Sequence, residues 1–189
     1  MKQIGILGGT FDPPHIGHLV IGNEVLDSLQ LDEVRFMPNH VPPHKKKTLD
    51  VTDADRIAML NYAIEGNEFF AIEKIEIERK GTSYTYDTIQ LLRQREPDHA
   101  FSFIIGADMI EYLPKWHRID ELMKLIRFVG VKRPTYNEVT DYPITMVEIP
   151  EMLISSSKVR EKVRNEKTVK YLLPEKVITY IEENDLYES

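Results

Sequence analysis

Ile4-Gly5-Ile6-Leu7-Gly8-Gly9-Thr10-Phe11-Asp12-Pro13-Pro14-His15-Ile16-Gly17-His18 is the stretch on which the reading of this 189-residue chain turns. Residues 4–7 form an apolar run with the length of a short buried strand, and Leu19-Val20-Ile21-Gly22-Asn23-Glu24-Val25-Leu26 has the apolar spacing of a helix. Between them, Gly8 and Gly9 leave room for backbone N–H groups to approach a ligand. The helix start adds unpaired N–H groups and the positive end of a dipole. A strand, glycine turn and helix in this order make an anion site. His15 and His18, three apart, share one face if the first turn includes both. Imidazoles beside a phosphate donate hydrogen bonds to its oxygens and stabilise charge developing there.

Other readings of the same loop are weaker. No Gly-Lys-Ser/Thr follows at the spacing of a Walker loop, and the Gly-x-Gly-x-x-Gly turn of dinucleotide-binding domains is absent. A three-apart histidine pair without Cys or an intervening Glu is a poor zinc signature. Histidines that only cap a helix and glycines that only turn the chain are the plainer alternative. The crowding of adjacent glycines, adjacent prolines and two histidines into one loop favours function.

Outward from this loop, strand-like runs at 4–7, 34–38, 70–77, 101–105, 128–131 and 146–149 alternate with helix-like runs at 17–28, 52–64, 86–95, 119–125, 156–164 and 174–183. That alternation predicts an α/β fold, a Rossmann-like doubly wound parallel sheet with helices on both faces. A single domain over 1–189 is expected, with a helical C-terminal part from about 155, and no repeat or linker divides it. Ligands in such sheets sit at the carboxyl ends of the strands, where strand order reverses. Gly8-Gly9, Gly106-Ala107-Asp108 and Lys132-Arg133-Pro134 each follow a predicted strand and should gather at one edge.

The chain has no cysteine, so disulfides and thiolate metal sites are unavailable and a reducing cytoplasm is the expected setting. Met1-Lys2-Gln3 before a short strand does not read as a signal peptide, and no apolar stretch approaches a membrane span. A net charge of −7 argues against broad nucleic-acid binding. An anionic ligand would therefore need locally clustered positive groups.

Ser155-Ser156-Ser157-Lys158-Val159-Arg160 supplies such a cluster. A serine before an apolar-periodic stretch is a preferred N-cap, and free N–H groups, hydroxyls and two cations can hold a phosphate. Plain capping with solvated cations is the alternative, and pairing with the first loop favours a phosphate clamp. Val41-Pro42-Pro43-His44-Lys45-Lys46-Lys47 is either a solvated loop or a flap that brings His44 and Lys45 to substrate phosphates. Arg133, after the fifth strand, is a further phosphate-contact candidate.

The first loop resembles the signature of the H-x-G-H nucleotidyltransferase superfamily, and Ile154-Ser155-Ser156-Ser157-Lys158-Val159-Arg160 is similar to its second motif, I-S-S-x-x-x-R. Gly81-Thr82-Ser83-Tyr84-Thr85-Tyr86-Asp87-Thr88, and Gly106-Ala107-Asp108 followed by Leu113-Pro114-Lys115-Trp116-His117, resemble the bacterial nicotinate-nucleotide adenylyltransferases. The resemblance covers almost the whole chain with its motifs in order. It implies adenylyl transfer from ATP to nicotinate mononucleotide, with pyrophosphate released. ATP would be held by Gly8, Gly9, Thr10, Phe11, His15, His18, Gly106, Asp108 and the segment Ile154, Ser155, Ser156, Ser157, Lys158 and Arg160, the last motif taking its β- and γ-phosphates. The acceptor would meet Thr10, Tyr84, Thr85, Trp116, His44, Lys45 and Arg133.

By the same resemblance Trp116, the sole tryptophan, would stack on the pyridine ring, where core packing is the ordinary alternative for a lone Trp. N–H groups at the helix start near Thr85 could hold a carboxylate and so favour nicotinate over nicotinamide. His15, His18 and Arg160 are the expected catalytic residues, His18 at the α-phosphate. Asp108 could act through the ribose or through metal-bound water. Mg²⁺ is expected to arrive with ATP, since hard cations on triphosphates use substrate oxygens and few protein ligands. Another phosphorylated acceptor such as phosphopantetheine, CTP as donor, or a nucleotide sensor without turnover are the competing functions. Nothing suggests the tRNA-binding domain of a class I aminoacyl-tRNA synthetase. A homo-oligomer is compatible with this size, though no exposed apolar stripe identifies an interface.

Overall fold

The structure, a computed structural model, describes residues 1–40, 51–132 and 140–188. Its centre is β1 (Gln3–Gly9), whose Ile4 and Ile6 are fully buried. From β1 the chain runs through α1 (Ile16–Ser28) to β2 (Glu33–Pro38), then through α2 (Asp53–Ile64) to β3 (Phe70–Ile72). It then passes through α3 (Ile75–Arg79) and α4 (Thr85–Arg95) and returns to the other side of β1 as β4 (Ala100–Gly106). The remaining elements are α5 (Ala107–Ile110), α6 (Ile119–Leu125), β5 (Arg127–Lys132), β6 (Ile144–Glu148), α7 (Ser156–Arg164) and α8 (Glu175–Glu183).

All neighbouring strands pair in parallel, in the order β3-β2-β1-β4-β5-β6. This is the expected doubly wound Rossmann-like sheet. The order reverses between β1 and β4, whose register aligns Leu7 with Ile104. A crevice therefore opens at their carboxyl ends, beyond Gly9 and Gly106.

Side-chain alternation along the strands divides the core. Ile4, Ile6, Phe101, Phe103, Ile105 and Phe128 face one layer with Ile75 of α3, Ile89 and Leu92 of α4, and Leu122 of α6. Leu7, Ile104, Val129 and Val131 face the other with Ile21 and Val25 of α1 and Leu60 of α2. A third cluster joins Met59 and Ala63 of α2 to Val159 of α7 and to Val177 and Ile181 of α8. The C-terminal helices thus dock on α2.

The six expected helices occur within a residue or two of their predicted bounds, but the expected strand at 70–77 does not hold together. Only Phe70–Ile72 pairs with β2, and Ile75–Arg79 is the helix α3. The run at 70–77 has the length and apolar content of a strand, yet the Glu73 carboxylate accepts the Ile75 N–H at 3.0 Å and turns the chain into a helix. That helix buries the adjacent Ile75 and Glu76 rather than alternate residues. Short α5 and a single 3-10 turn at Leu113–Lys115 had no periodic signal long enough to predict them. Among the described residues no helix is long and apolar enough to cross a membrane.

Candidate active site

His15 is the N-cap of α1 and His18 the third residue of its first turn, so both imidazoles stand at the mouth of the crevice. They stack with ring centroids 3.6 Å apart and planes inclined by 21°. The backbone N–H of His15 donates to His18 Nδ1 at 3.1 Å. An Nδ1 that accepts carries no proton, so neutral His18 has its proton on Nε2. The glycine of the motif leaves room beside the His15 ring. A Cβ on Gly17 would lie 3.0 Å from His15 Nδ1 and 3.1 Å from its Cε1.

Below the stack, Phe11 takes a left-handed backbone (φ 51°) and is buried. Its ring meets His18 edge-on at 4.9 Å and Phe36 at 5.9 Å. The helix start is less open than the sequence implies. The Ile16 N–H donates to Leu172 O at 2.9 Å, and the His18 N–H turns back to His15 O at 2.9 Å. Two of the donors expected to face an anion are therefore used within the protein, which leaves the side chains with more of the work.

The second motif reaches this loop directly. Ser155 caps α7, accepting the Lys158 N–H at 3.3 Å. The next residue, Ser156, donates from Oγ to Pro13 O at 2.9 Å, and one turn on Arg160 Nη1 donates to Asp12 O at 2.6 Å, with Asp12 Oδ2 3.8 Å away. Arg160 Nη2 also lies 3.4 Å from Ser157 Oγ. Ile154 packs with the C-terminal cluster, and Lys158 is exposed. The buried Tyr187 hydroxyl donates to Asp12 Oδ1 at 2.6 Å. Burial, and then the Asp12 carboxylate, push the Tyr187 phenol far above its ordinary value, so it remains a donor at every working pH.

The two middle motifs also meet. Tyr84, exposed at the start of α4, lies 4.7 Å from the His117 ring, and Arg118 sits 4.0 Å above the buried Tyr86 ring. Thr85 opens α4. Trp116 is half-buried and edge-on to Phe103 and Phe128, each at 6.0 Å, so part of the indole belongs to the core. Phe103 in turn approaches the glycine loop, since a Cβ on Gly8 would stand 3.0 Å from its ring. Gly106 ends β4 and Asp108 lies in α5 directly after it. His44, Lys45 and Arg133 lie outside the described residues.

Sequence reading missed three contributors. Arg56, 2 % exposed, donates to Thr10 O at 2.7 Å, to Asn39 O at 2.5 Å and to Asp53 Oδ1 at 2.7 Å. Asn39 itself bridges the strand ends, its N–H to Gly9 O at 3.0 Å and its Nδ2 to Thr10 Oγ1 at 3.2 Å. Tyr187 is the third. Arg56 carried a usable signal, because it occupies the buried stripe Arg56, Met59, Leu60 and Ala63 of α2. A cation on an apolar stripe needs buried partners.

A histidine pair and a serine- and arginine-bearing helix, held to one loop at the switch point of a doubly wound sheet, define a site of the nucleotidyltransferase class. The comparisons with known proteins agree. The cytidylyltransferase-like family matches residues 6–162. The nicotinate-nucleotide adenylyltransferase of Bacillus subtilis (strain 168) is 55 % identical over 190 residues, covering 100 % of both chains. A probable nicotinate-nucleotide adenylyltransferase of Geobacillus thermodenitrificans is 57 % identical over 99 % of this chain and 87 % of its own length. The chain belongs to the cytidylyltransferase-like family, and within it to the nicotinate-nucleotide adenylyltransferases. Its fold also matches a solved Plasmodium falciparum nicotinic acid mononucleotide adenylyltransferase complexed with NaAD, with a TM-score of 0.85 at 21 % identity over 100 % of this chain and 98 % of that one.

Proposed function

We infer that this chain transfers the adenylyl group of ATP to nicotinate mononucleotide, giving nicotinate adenine dinucleotide and pyrophosphate in NAD biosynthesis. The observation that carries the reading is the convergence of His15, His18, Ser156 and Arg160 on residues 12–18, at the carboxyl end of β1. An oxygen of the acceptor's 5′-phosphate attacks the α-phosphorus of ATP in line. The bond from that phosphorus to the bridging oxygen breaks, and pyrophosphate leaves with the electron pair. A phosphate oxygen is already an adequate nucleophile, so the protein's contribution is alignment and stabilisation of charge.

His18 meets the α-phosphate through its Nε2–H, and His15, stacked against it, serves neighbouring phosphates. Ser156, Lys158 and Arg160 receive the leaving pyrophosphate, Arg160 exchanging its hold on the Asp12 carbonyl for phosphate oxygens. The exposed Tyr84, the first-turn N–H groups at Thr85 and the half-buried Trp116 form the acceptor end. Mg²⁺ carried by ATP would offset triphosphate charge. Among the described residues no group of three or more His, Cys, Asp or Glu side chains is placed to hold a metal. The same proposal places the enzyme in the cytoplasm.

Pyrophosphate release from ATP and Mg²⁺ tests the reading, with nicotinate mononucleotide, nicotinamide mononucleotide and phosphopantetheine compared as acceptors. Fast release with the nicotinate acceptor and slow release with the other two is the expected result. Equal use of both pyridine nucleotides would remove carboxylate recognition from the Thr85 region. Release with phosphopantetheine alone, or with none of the three, would overturn the assignment.

A further inference from the structure

We propose that Arg56 is a positioning residue for adenylyl transfer, holding the histidine loop and the acceptor motif in register through the strand ends of β1 and β2; this rests on the transfer reading above. The side chain is buried and its three described bonds go to three different segments. Nη1 holds Thr10 O, and Nη2 is shared between Asn39 O and Asp53 Oδ1. The Thr10 carbonyl belongs to the peptide that leads into Phe11, whose left-handed backbone places its ring edge-on beneath His18. Displacement of Thr10 therefore moves the floor of the catalytic pair.

The second arm runs toward the acceptor. Asp53 also bonds His40 Nδ1, and the His40 N–H donates to Ser83 Oγ at 3.0 Å. Ser83 is buried and directly precedes Tyr84, whose ring lies on His117. One guanidinium thus connects the donor loop at Thr10 to the acceptor motif at Ser83. No ammonium can replace it fully, because Arg presents five donors in a rigid plane and Lys a single compact charge. A small misplacement of groups aligned for in-line attack is costly even when it originates away from the reacting atoms.

Arg56→Lys and Arg56→Met test this by steady-state kinetics and by ring-nitrogen NMR shifts of His18, with circular dichroism as the check on folding. Arg56→Met should lower kcat by about tenfold or more, and Arg56→Lys should recover part of that loss. In both variants the His18 shifts should move from a fixed Nε2–H tautomer toward a mixture. A folded Arg56→Lys protein with kcat within about twofold of wild type overturns the proposal. So does a fall in kcat with unmoved His18 shifts, since the route through Thr10 would then be wrong. If Arg56→Met does not fold, Arg56→Lys decides alone. Wild-type protein that releases no pyrophosphate fails the functional reading instead, and the His18 shifts then decide the positioning role by themselves.

Discussion

His18 illustrates how little freedom a single side chain has at this site. Its Nδ1 is engaged by the His15 N–H at 3.1 Å and one edge is closed by Phe11 at 4.9 Å. The accepting Nδ1 fixes one tautomer, with the proton on Nε2, before substrate arrives. Such preorganisation is what makes a donor effective at charge that appears only in the transition state. His18→Ala should therefore lower kcat by on the order of a hundredfold or more, as for other lost transition-state donors, with much smaller changes in either KM. Steady-state kinetics on a variant of unchanged circular dichroism checks this. Turnover near wild type would remove His18 from the reaction. Gly17 is part of the same device, since a Cβ there would crowd the His15 ring at 3.0 Å and shift it by a few tenths of an ångström.

At the scale of elements, the loop between β1 and α1 is held from outside by the C-terminal helices. Ser156 and Arg160 of α7 bond its carbonyls, and Tyr187, just beyond α8, donates to Asp12. Tyr187→Phe removes a buried hydrogen bond to a carboxylate, a loss of about 1.5–3 kcal/mol. Thermal denaturation should show a midpoint lower by several degrees; an unchanged midpoint would mean that the bond adds nothing net. Much of this scale was legible in the sequence. The alternation of strand-like and helix-like lengths predicts the doubly wound parallel sheet, and a serine before an apolar-periodic stretch predicts a capped α7, whose cap is Ser155. The break at Glu73 was not legible, because an apolar-rich run at 70–77 is local information and the turn depends on one carboxylate reaching forward to the Ile75 N–H. Tyr187 lay beyond reach for a similar reason. Its partner is 175 residues away, and no periodic pattern records such a contact. Arg56 lay between these cases: its place on the buried stripe of α2 was visible, its carbonyl partners were not.

Across the whole molecule, the sheet has a weak side at β3, only three residues long. A charged cluster joins it to the neighbouring strand and to the end of α4. Arg35 of β2 reaches Glu33, Glu73 and Glu96 at 2.5, 3.2 and 2.8 Å. Arg95 bonds Glu73 and reaches Glu96 at 3.1 Å, and His99 Nδ1 lies 2.8 Å from Glu96. The hydrogen bonds from Arg35 outweigh burial and hold the Glu96 carboxyl at about 2, against an ordinary 4.5. A carboxylate depressed in the folded state stabilises the fold above its unfolded value, and that stability is lost as pH falls through the folded value. The window here runs from 4.5 down to about 2. Glu96→Gln keeps the shape, removes the titration and leaves Arg35 with weaker partners. Urea denaturation should show a less stable protein at neutral pH and a shallower loss of stability across that acid window than in wild type. Parallel curves for the two proteins over the same window would show that Glu96 is not the group whose protonation releases the β3 edge.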